Sequence, residues 1–311
     1  MTNNESPTTN NPPQGHQAAA PALGKLGRAE LRGEGDLSAV DAQVVDLDGV
    51  WFGYEPGRAV VKGLSARLCA GRVCALIGPN AVGKTTLLRL ILGQLLPWSG
   101  SLTLAGRPVA SWSGRQRAAC ISYVPQHGRV SFAFTAEQVV AMGRFALPAD
   151  AGAIEQAIEA CHLRLVRQRV YAQLSAGQQQ RVLLARAMAQ AGGRGPDPGP
   201  AGVMLLDEPV SSMDLRHLHR TMRLLVQLSR SGLAVLVVLH DLNLAARYAD
   251  DVWLMRDGTL AASGPWSQVL RPDLLEPAYG ISVRPLDTPV AGRPMFFVDE
   301  HDTLNNHQQH P

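Results

Sequence analysis

A glycine-rich segment that ends in lysine and threonine, Gly78-Pro-Asn-Ala-Val-Gly83-Lys84-Thr85, points most directly to chemistry. It matches the phosphate-loop pattern at every defined position, between an apolar segment and a helical one. Backbone N–H groups of such a loop surround a polyphosphate, Lys84 offers charge to the β- and γ-phosphates, and Thr85 offers Mg²⁺ a hydroxyl. The predicted nucleotide-binding residues here are Gly78, Pro79, Asn80, Ala81, Val82, Gly83, Lys84, Thr85 and Thr86.

A pair of carboxylates, Asp207 and Glu208, follows the apolar run at 203–206. A carboxylate at the end of such a strand lies beside the phosphate loop, where Asp207 can hold Mg²⁺ through water. The next carboxylate, Glu208, can then polarise the attacking water as a general base. Together with the phosphate loop, this pair predicts hydrolysis of a nucleoside triphosphate.

Alternating apolar and helical segments must position these residues. Helical patterns, including one at 84–92, separate the short apolar runs, which is the order typical of an α/β fold. Residues 135–169 differ, since they predict consecutive helices with no strand, and Thr135 with Gln138 resembles a capping box. The predicted strands of a mostly parallel sheet are 73–77, 121–124, 203–206 and 235–239.

Composition and charge exclude several classes of protein. The chain has 311 residues, and its net charge of +3 is too small to indicate nucleic acid as a partner. It lacks an apolar run of about 18 residues, so we expect no membrane-spanning helix. The first 14 residues lack the basic and apolar parts of a signal peptide. The four cysteines lack C-x-x-C spacing, which favours reduced thiols over disulfides or zinc.

Both ends of the chain differ from the middle. Residues 1–40 are rich in Asn, Pro, Thr, Gln and Gly, and residues 301–311 are similarly polar. Such segments bury too little apolar surface to fold, so we predict a disordered N-terminal extension and a disordered tail. Residues 41–300 are then the folded domain.

The segment Leu174-Ser175-Ala176-Gly177-Gln178 resembles the signature LSGGQ of the ATP-binding cassette (ABC) ATPases, with Ala176 at the first of two glycines. In that family the segment opens a helix and caps the γ-phosphate of ATP held by the opposite subunit. The resemblance implies that Ser175, Ala176, Gly177 and Gln178 contact a nucleotide. Ser175 is also suited to be the N-cap of the helix.

Four further positions fit the same family. Tyr54 corresponds to the aromatic residue that stacks on adenine, and Gln126 to the glutamine that senses Mg²⁺ and water and links to the membrane partner. Asp214, in Ser211-Ser-Met-Asp214, resembles the D-loop that contacts the other subunit, and His240 resembles the switch histidine that reads the γ-phosphate. The resemblance therefore implies Glu208, His240 and Gln126 as catalytic residues, and Thr85, Gln126 and Asp207 as magnesium ligands.

The resemblance covers about residues 43–298 and implies an architecture. It implies an α/β P-loop NTPase with a RecA-like, mostly parallel core, an antiparallel β subdomain and a helical subdomain at about 127–185. One phosphate loop and one signature imply a head-to-tail dimer with a second copy or a homologue. The resemblance also implies ATP and Mg²⁺ as cofactors.

Transport is the preferred role among the ABC classes. The repair class needs a long coiled coil between Gln126 and Leu174, where this chain has no room, and translation proteins usually carry two cassettes. A nucleotide kinase would need neither the signature nor His240. The resemblance thus implies a peripheral subunit at the cytoplasmic face of a bacterial inner membrane. Its partners would be separate permease subunits and, indirectly, a periplasmic substrate-binding protein, with no nucleic acid.

Local similarities bear on the cargo. Segments 131–144 and 237–250 resemble ATPases that import iron chelates, hemin and vitamin B12. The phenylalanine-rich start of the first segment and the glycine- and proline-rich loop at 191–202 most resemble hemin-import ATPases. Segment 292–297 is equally similar to ferric-siderophore ATPases. We expect hemin as cargo, with a ferric siderophore or cobalamin as alternatives, and a soluble non-transport ABC ATPase as a further one.

Overall fold

The computed structural model describes residues 43–126, 128, 130, 132–192, 202–286 and 292–299. Its strands are β1 (Gln43–Phe52), β2 (Val61–Cys69), β3 (Val73–Ile77), β4 (Ser99–Leu104), β5 (Arg107–Pro108), β6 (Ile121–Val124), β7 (Val203–Asp207), β8 (Ala234–Val238), β9 (Asp251–Arg256), β10 (Thr259–Pro265), β11 (Ser282–Leu286) and β12 (Met295–Asp299). Its α-helices are α1 (Lys84–Ile91), α2 (Gly114–Cys120), α3 (Ala136–Ala141), α4 (Ala151–Ala160), α5 (Ala176–Ala191), α6 (Leu215–Arg230), α7 (Leu242–Tyr248), α8 (Trp266–Val269) and α9 (Pro272–Tyr279).

A six-stranded sheet in the order β10-β9-β3-β8-β7-β6 forms the centre of the fold. The strands from β9 to β6 pair in parallel, and β10 pairs antiparallel with β9. Every residue of β3, β7 and β8 is buried, because both faces of a parallel sheet are covered. The predicted α/β fold with a mostly parallel core is therefore confirmed.

Two strand ends differ slightly from the predictions. Strand β7 continues through Asp207, which pairs with Val238, one residue beyond the apolar run. Strand β8 begins at Ala234 and ends before Leu239, so the predicted strand at 235–239 is displaced by one residue. The reason is that strand pairing, rather than apolar content alone, determines where each strand ends.

The antiparallel sheet, in the order β2-β1-β4-β5, is a second layer. Alternate residues of β1 and β2, such as Leu47 and Leu64, are buried, as expected of a sheet with one solvent-facing side. They share a core with Leu87 and Leu88 of α1 and with Leu76 of β3. This shared core fixes helix α1, and with it the end of the phosphate loop, against both sheets.

Helical segments connect β6 to β7. Residues 135–169 contain α3, α4 and short 3-10 turns, as predicted, and α5 follows them. Thr135 and Gln138 form the predicted capping box at the start of α3. Val140, Ile158 and Val182 are fully buried in the core beneath these helices. The predicted consecutive helices at 135–169 are therefore present in the structure.

Several predictions concern residues that the structure does not describe. The terminal segments 1–40 and 301–311 lie outside the described residues, as do residues 193–201 of the predicted loop. Over the part of the chain that is described, no helix is both long and apolar enough to cross a membrane. The four cysteines, all of which lie in the described part of the chain, form no disulfide, and burial raises the pKa of the Cys161 thiol to about 12.

Candidate nucleotide site

The phosphate loop connects β3 to α1 through a strongly curved backbone. Gly78 and Gly83 have φ angles of 143° and 107°, which favour glycine. A Cβ at Gly78 would lie 2.3 Å from the carbonyl oxygen of Met255, so the strand next to β3 leaves no space for a side chain. Ala81 also has a positive φ, 62°, which is strained for a residue with a Cβ. The backbone therefore has the curvature that the predicted phosphate loop requires.

Lys84 lies beneath this loop and is buried. Its Nζ donates hydrogen bonds to the carbonyl oxygens of Gly78, at 2.7 Å, and Pro79, at 2.6 Å. Burial lowers the pKa of Lys84, while Glu208 and Asp207 act in the opposite direction. The ammonium group is thus held at the position where a loop of this type contacts phosphate.

Thr85 and Asp207 present two oxygen ligands side by side. The hydroxyl of Thr85, the second residue of α1, donates to Oδ2 of Asp207 at 2.9 Å. Burial raises the pKa of Asp207, whereas the hydrogen bond from Thr85 lowers it. A hydroxyl and a carboxylate are hard oxygen donors of the kind that Mg²⁺ prefers, so these two residues fit a magnesium site.

Glu208 is contacted from both sides by side chains from neighbouring strands. Nε2 of Gln126, two residues after β6, donates to Oε2 of Glu208 at 2.6 Å. Nε2 of His240, two residues after β8, contacts Oε1 of the same carboxylate. Strands β6 and β8 flank β7, so the carboxyl ends of three adjacent parallel strands supply the cluster. Glu208 has a φ of 49°, a strained conformation that turns the chain here.

A cleft of about 450 Å³ joins the phosphate loop to this cluster. Its lining residues are Val60, Asn80, Ala81, Gly83, Lys84, Thr85, Thr86, Gln126, Glu208 and His240. Tyr54 lies at the edge, where its hydroxyl is 3.3 Å from Oγ1 of Thr86 and accepts a 3.4 Å hydrogen bond from Arg89. Val60 and Arg89 were missed by the sequence analysis. An apolar residue before a strand and an arginine on a helix carry no signal of their own.

The signature and D-loop residues lie elsewhere and contribute nothing to the cleft lining given above. Ser175 and Ala176 are exposed at the start of α5, and Ser175 forms a capping box with Gln178. A Cβ at Gly177 would lie 2.9 Å from the carbonyl oxygen of Ser212, so the signature packs directly on the D-loop.

Asp214, the last D-loop residue, is exposed and is the N-cap of α6. It accepts hydrogen bonds from the backbone and the ring of His217, and these bonds lower the pKa of Asp214. The structure therefore brings together the predicted residues of the phosphate loop, Gln126, Asp207, Glu208 and His240. It leaves Ser175, Ala176, Gly177, Gln178 and Asp214 on a separate surface of the same chain.

Comparison with known proteins identifies the family of this chain. The family model described as ABC transporter matches residues 61–211. The chain belongs to the ABC transporter family, in which it is an ATP-binding subunit that hydrolyses ATP. Among curated proteins it is similar to hemin import ATP-binding proteins HmuV. That of Gloeobacter violaceus is 37% identical over 245 residues, which cover 77% of this chain and 88% of the relative.

Two other hemin import ATP-binding proteins HmuV show how far this similarity extends. The protein of Pseudomonas fluorescens strain Pf0-1 is 40% identical over 246 residues, or 77% of this chain and 94% of the relative. The protein of Nocardia farcinica is 39% identical over 274 residues, or 86% of this chain and 91% of the relative. The similarity thus spans nearly the full length of each relative.

Solved structures share the fold. An ATP-binding subunit of an ABC transporter superposes with a TM-score of 0.65 at 21% identity, covering 77% of this chain and 95% of the other. The protein cbiO1 of Clostridium perfringens, part of the ABC transporter complex cbiONQ, gives 0.63 at 24% identity, with 76% and 93% covered. At these identities the likeness supports the cassette fold alone.

Proposed function

We propose that this chain is the energy-coupling ATPase of a bacterial hemin importer. The observation that carries the ATPase part is the single cleft in which Lys84, Thr85, Gln126, Glu208 and His240 meet. The cargo rests on similarity to hemin import ATP-binding proteins at 37% to 40% identity. The ATPase does not touch the cargo in this account, so a ferric siderophore and cobalamin are the alternatives that an experiment must separate.

The phosphates bind at the loop and at Lys84 in this proposal. ATP phosphates replace the carbonyls of Gly78 and Pro79 as partners of the Lys84 ammonium group. Thr85, Asp207 and Gln126 would hold Mg²⁺. When bound, Mg²⁺ neutralises charge on the β- and γ-phosphate oxygens.

Glu208 acts as the general base in this proposal. It polarises the water that attacks the γ-phosphate and accepts a proton from it. In the structure both carboxylate oxygens are engaged, one by Gln126 and one by His240. Binding of ATP must therefore redirect these two partners, His240 toward the γ-phosphate and Gln126 toward water and Mg²⁺, so that Glu208 becomes available to water.

Tyr54 binds the adenine base by stacking in this proposal. Its ring is largely exposed at the edge of the cleft, where a second ring can approach its face. Its hydroxyl lies against Oγ1 of Thr86, a phosphate-loop residue. We expect the ring to turn away from Thr86 when the nucleotide enters.

A second copy of the chain completes each site in this proposal. Ser175, Ala176, Gly177 and Gln178 of one chain cap the γ-phosphate bound by the other, and Asp214 lies at the same interface. The exposure of Ser175 and Ala176 at a helix N-terminus supports this role, since the helix dipole favours an anion there. Two ATP molecules would then lie between two head-to-tail chains.

Permease subunits are the proposed membrane partners, at the cytoplasmic face of the inner membrane. The ATPase domain in this proposal spans about 41–300, between extensions at 1–40 and 301–311. Its helical subdomain at about 127–185 carries two strongly exposed rings, Phe132 at 72% and Phe145 at 94% exposure. Exposed aromatic residues are typical of protein contacts, so this part is the proposed contact to the permease. A periplasmic binding protein acts indirectly.

Uptake by a strain that lacks this gene tests the cargo. Hemin, a ferric siderophore and cobalamin are offered separately as the required nutrient. We expect loss of hemin use alone, restored by the wild-type gene and not by Glu208→Gln. Loss of siderophore or cobalamin use with hemin intact would keep the importer and replace the cargo. Restoration by Glu208→Gln would contradict the proposed role of ATP hydrolysis.

A further inference from the structure

Trp98, just before β4, lies against the segment that carries Tyr54. A Cβ at Gly53 would lie 2.5 Å from Cη2 of Trp98 and 2.1 Å from the carbonyl oxygen of Arg58. Gly53 is therefore enclosed between the indole ring and the turn at 55–58, with no room for a side chain. Removing the indole would open a gap on one side of the residue that precedes Tyr54.

Aromatic contacts extend from Trp98 to Tyr54 through Phe52. The rings of Phe52 and Tyr54 meet edge to face, with centroids 5.2 Å apart. The rings of Phe52 and Trp98 lie 6.1 Å apart. Phe52 is buried, whereas Trp98 is 47% exposed. Ring pairs at such distances stabilise each other beyond the burial of their surface.

The backbone holds Trp98 in place independently of its ring. Its N–H donates to the carbonyl oxygen of Trp51 at 2.7 Å, and Ser99 pairs with Trp51 across β1 and β4. A substitution of the indole therefore leaves the main-chain pairing intact. What it removes is the contact with Gly53 and Phe52.

We propose that Trp98 is a positioning residue for the nucleotide base, acting through Gly53, Phe52 and Tyr54. The inference rests on the proposed stacking of Tyr54 on adenine and adds a residue to it. Trp98 restricts the segment at 53–58, so that less conformational entropy is lost when the Tyr54 ring packs on the base. The proposal gives Trp98 no role in binding phosphates.

Binding of ADP and of inorganic pyrophosphate, each with Mg²⁺, separates the base from the phosphates. For Trp98→Ala, calorimetric titration of the whole chain should show the Kd of ADP raised about threefold to tenfold. The Kd of pyrophosphate should stay unchanged, and Trp98→Phe should restore most of the ADP affinity. Equal weakening of both ligands, or an unchanged ADP affinity, would overturn the proposal.

Trp51→Ala is the matched control. Trp51 is a tryptophan of similar exposure, 43%, next to Phe52, but its ring lies against Gly63 on β2. We expect its substitution to leave both affinities unchanged. An ADP affinity as low as that of Trp98→Ala would show that any large ring on this sheet matters, and the specific role of Trp98 would fall.

Tyr54→Ala distinguishes this inference from the proposal on which it rests. If Tyr54→Ala weakens ADP and Trp98→Ala does not, adenine stacking stands and the role of Trp98 falls. If Tyr54→Ala has no effect on ADP, both fall. In a double-mutant cycle, Trp98→Ala should add nothing once Tyr54 is alanine, because Trp98 acts through that ring. A full further loss would show direct contact of Trp98 with the base instead.

Discussion

The nucleotide cleft and the signature surface differ in how their polar groups are paired. In the cleft, Lys84 is bonded to loop carbonyls, and Glu208 is contacted by both Gln126 and His240. On the signature surface, the hydrogen bonds of Ser175 to other described residues lie within its own helix turn, and Ala176 is exposed. The first set converges from several strands, whereas the second faces outward from one helix end.

This difference shows which of the proposed catalytic and binding residues a single chain brings together by itself. Parallel strands that lie side by side bring Gln126, Glu208 and His240 to one sheet edge, so folding alone assembles that half. Helix α5 places its N-terminus on a different surface, where within the described residues it has no nucleotide site of its own. The account therefore needs a second copy for the signature to act.

Among these substitutions, Glu208→Gln should have the largest effect on the function of the nucleotide cleft. The amide keeps the size of the side chain but cannot accept a proton from water, so kcat should fall about 10²- to 10⁴-fold. Affinity for ATP should be retained, and an ATP-dependent dimer should accumulate. Steady-state ATPase assays and sedimentation with ATP measure the two effects.

Glu159→Gln is the control for that variant. Glu159 lies on α4, is exposed and pairs with Arg164, and it is not among the residues that line the cleft. Its ATPase rate should match the wild type. A normal ATPase rate for Glu208→Gln would show that Glu208 is not the base.

Two substitutions at Ser175 separate its role as the N-cap of α5 from its proposed contact with the nucleotide of the second copy. Ser175→Asp keeps a good N-cap but places a negative charge toward the γ-phosphate, so ATPase activity and ATP-dependent dimerisation should both be lost. Its melting temperature should stay near the wild type. Ser175→Ala should instead lower the free energy of unfolding by about 1 kcal/mol.

Calorimetry of ADP binding to both Ser175 variants is the accompanying measurement. Each should bind ADP like the wild type, because the phosphate loop lies in the other half of the comparison. Weakened ADP binding by Ser175→Asp would mean that the signature contacts the cleft of its own chain.

The pH dependence of Mg-ADP binding should show a smaller effect that belongs to the cleft alone. The pKa of Lys84 is lowered, and its charged form binds phosphate. As the pH rises, affinity for Mg-ADP should therefore begin to fall at a lower pH than an ordinary lysine would cause. The pKa of Asp207 is raised, and its charged form binds Mg²⁺. As the pH decreases, affinity for Mg-ADP should therefore begin to fall at a higher pH than an ordinary aspartate would cause.

Substitution of Lys84 tests the sign of the alkaline limit. Lys84→Arg should move the alkaline limit upward, since arginine stays charged, and Ser175→Ala should move neither limit. A Lys84→Arg profile identical to the wild type would assign the alkaline limit to another group.

Local patterns in the sequence predicted the features that depend on neighbouring residues. The phosphate loop, the capping box at Thr135 and the buried strands β3 and β6 agree with the prediction, because each is specified within about ten residues. The approach of Gln126 and His240 to Glu208 was implied only by family resemblance.

Contacts between distant segments could not be predicted from the sequence. The ends of β7 and β8 depend on pairing between them, which displaced the predicted strand at 235–239. The contact of Trp98 with Gly53 joins residues that only the antiparallel sheet brings together. The residues around Trp98 in the sequence give no indication of what its ring packs against.

A mixing experiment tests the central claim, that each site is completed by the second copy. All chains carry Glu208→Gln to prevent turnover, and heterodimers are counted by native mass spectrometry. In the first mixture one chain carries Lys84→Ala and the other Ser175→Asp. In the second, one chain carries both substitutions and its partner neither.

The account predicts an ATP-dependent heterodimer in the first mixture, since the intact phosphate loop of one chain meets the intact signature of the other. It predicts none in the second mixture, where every composite site contains one substitution. Equal amounts of heterodimer in both mixtures, or heterodimer in the second alone, would contradict the claim.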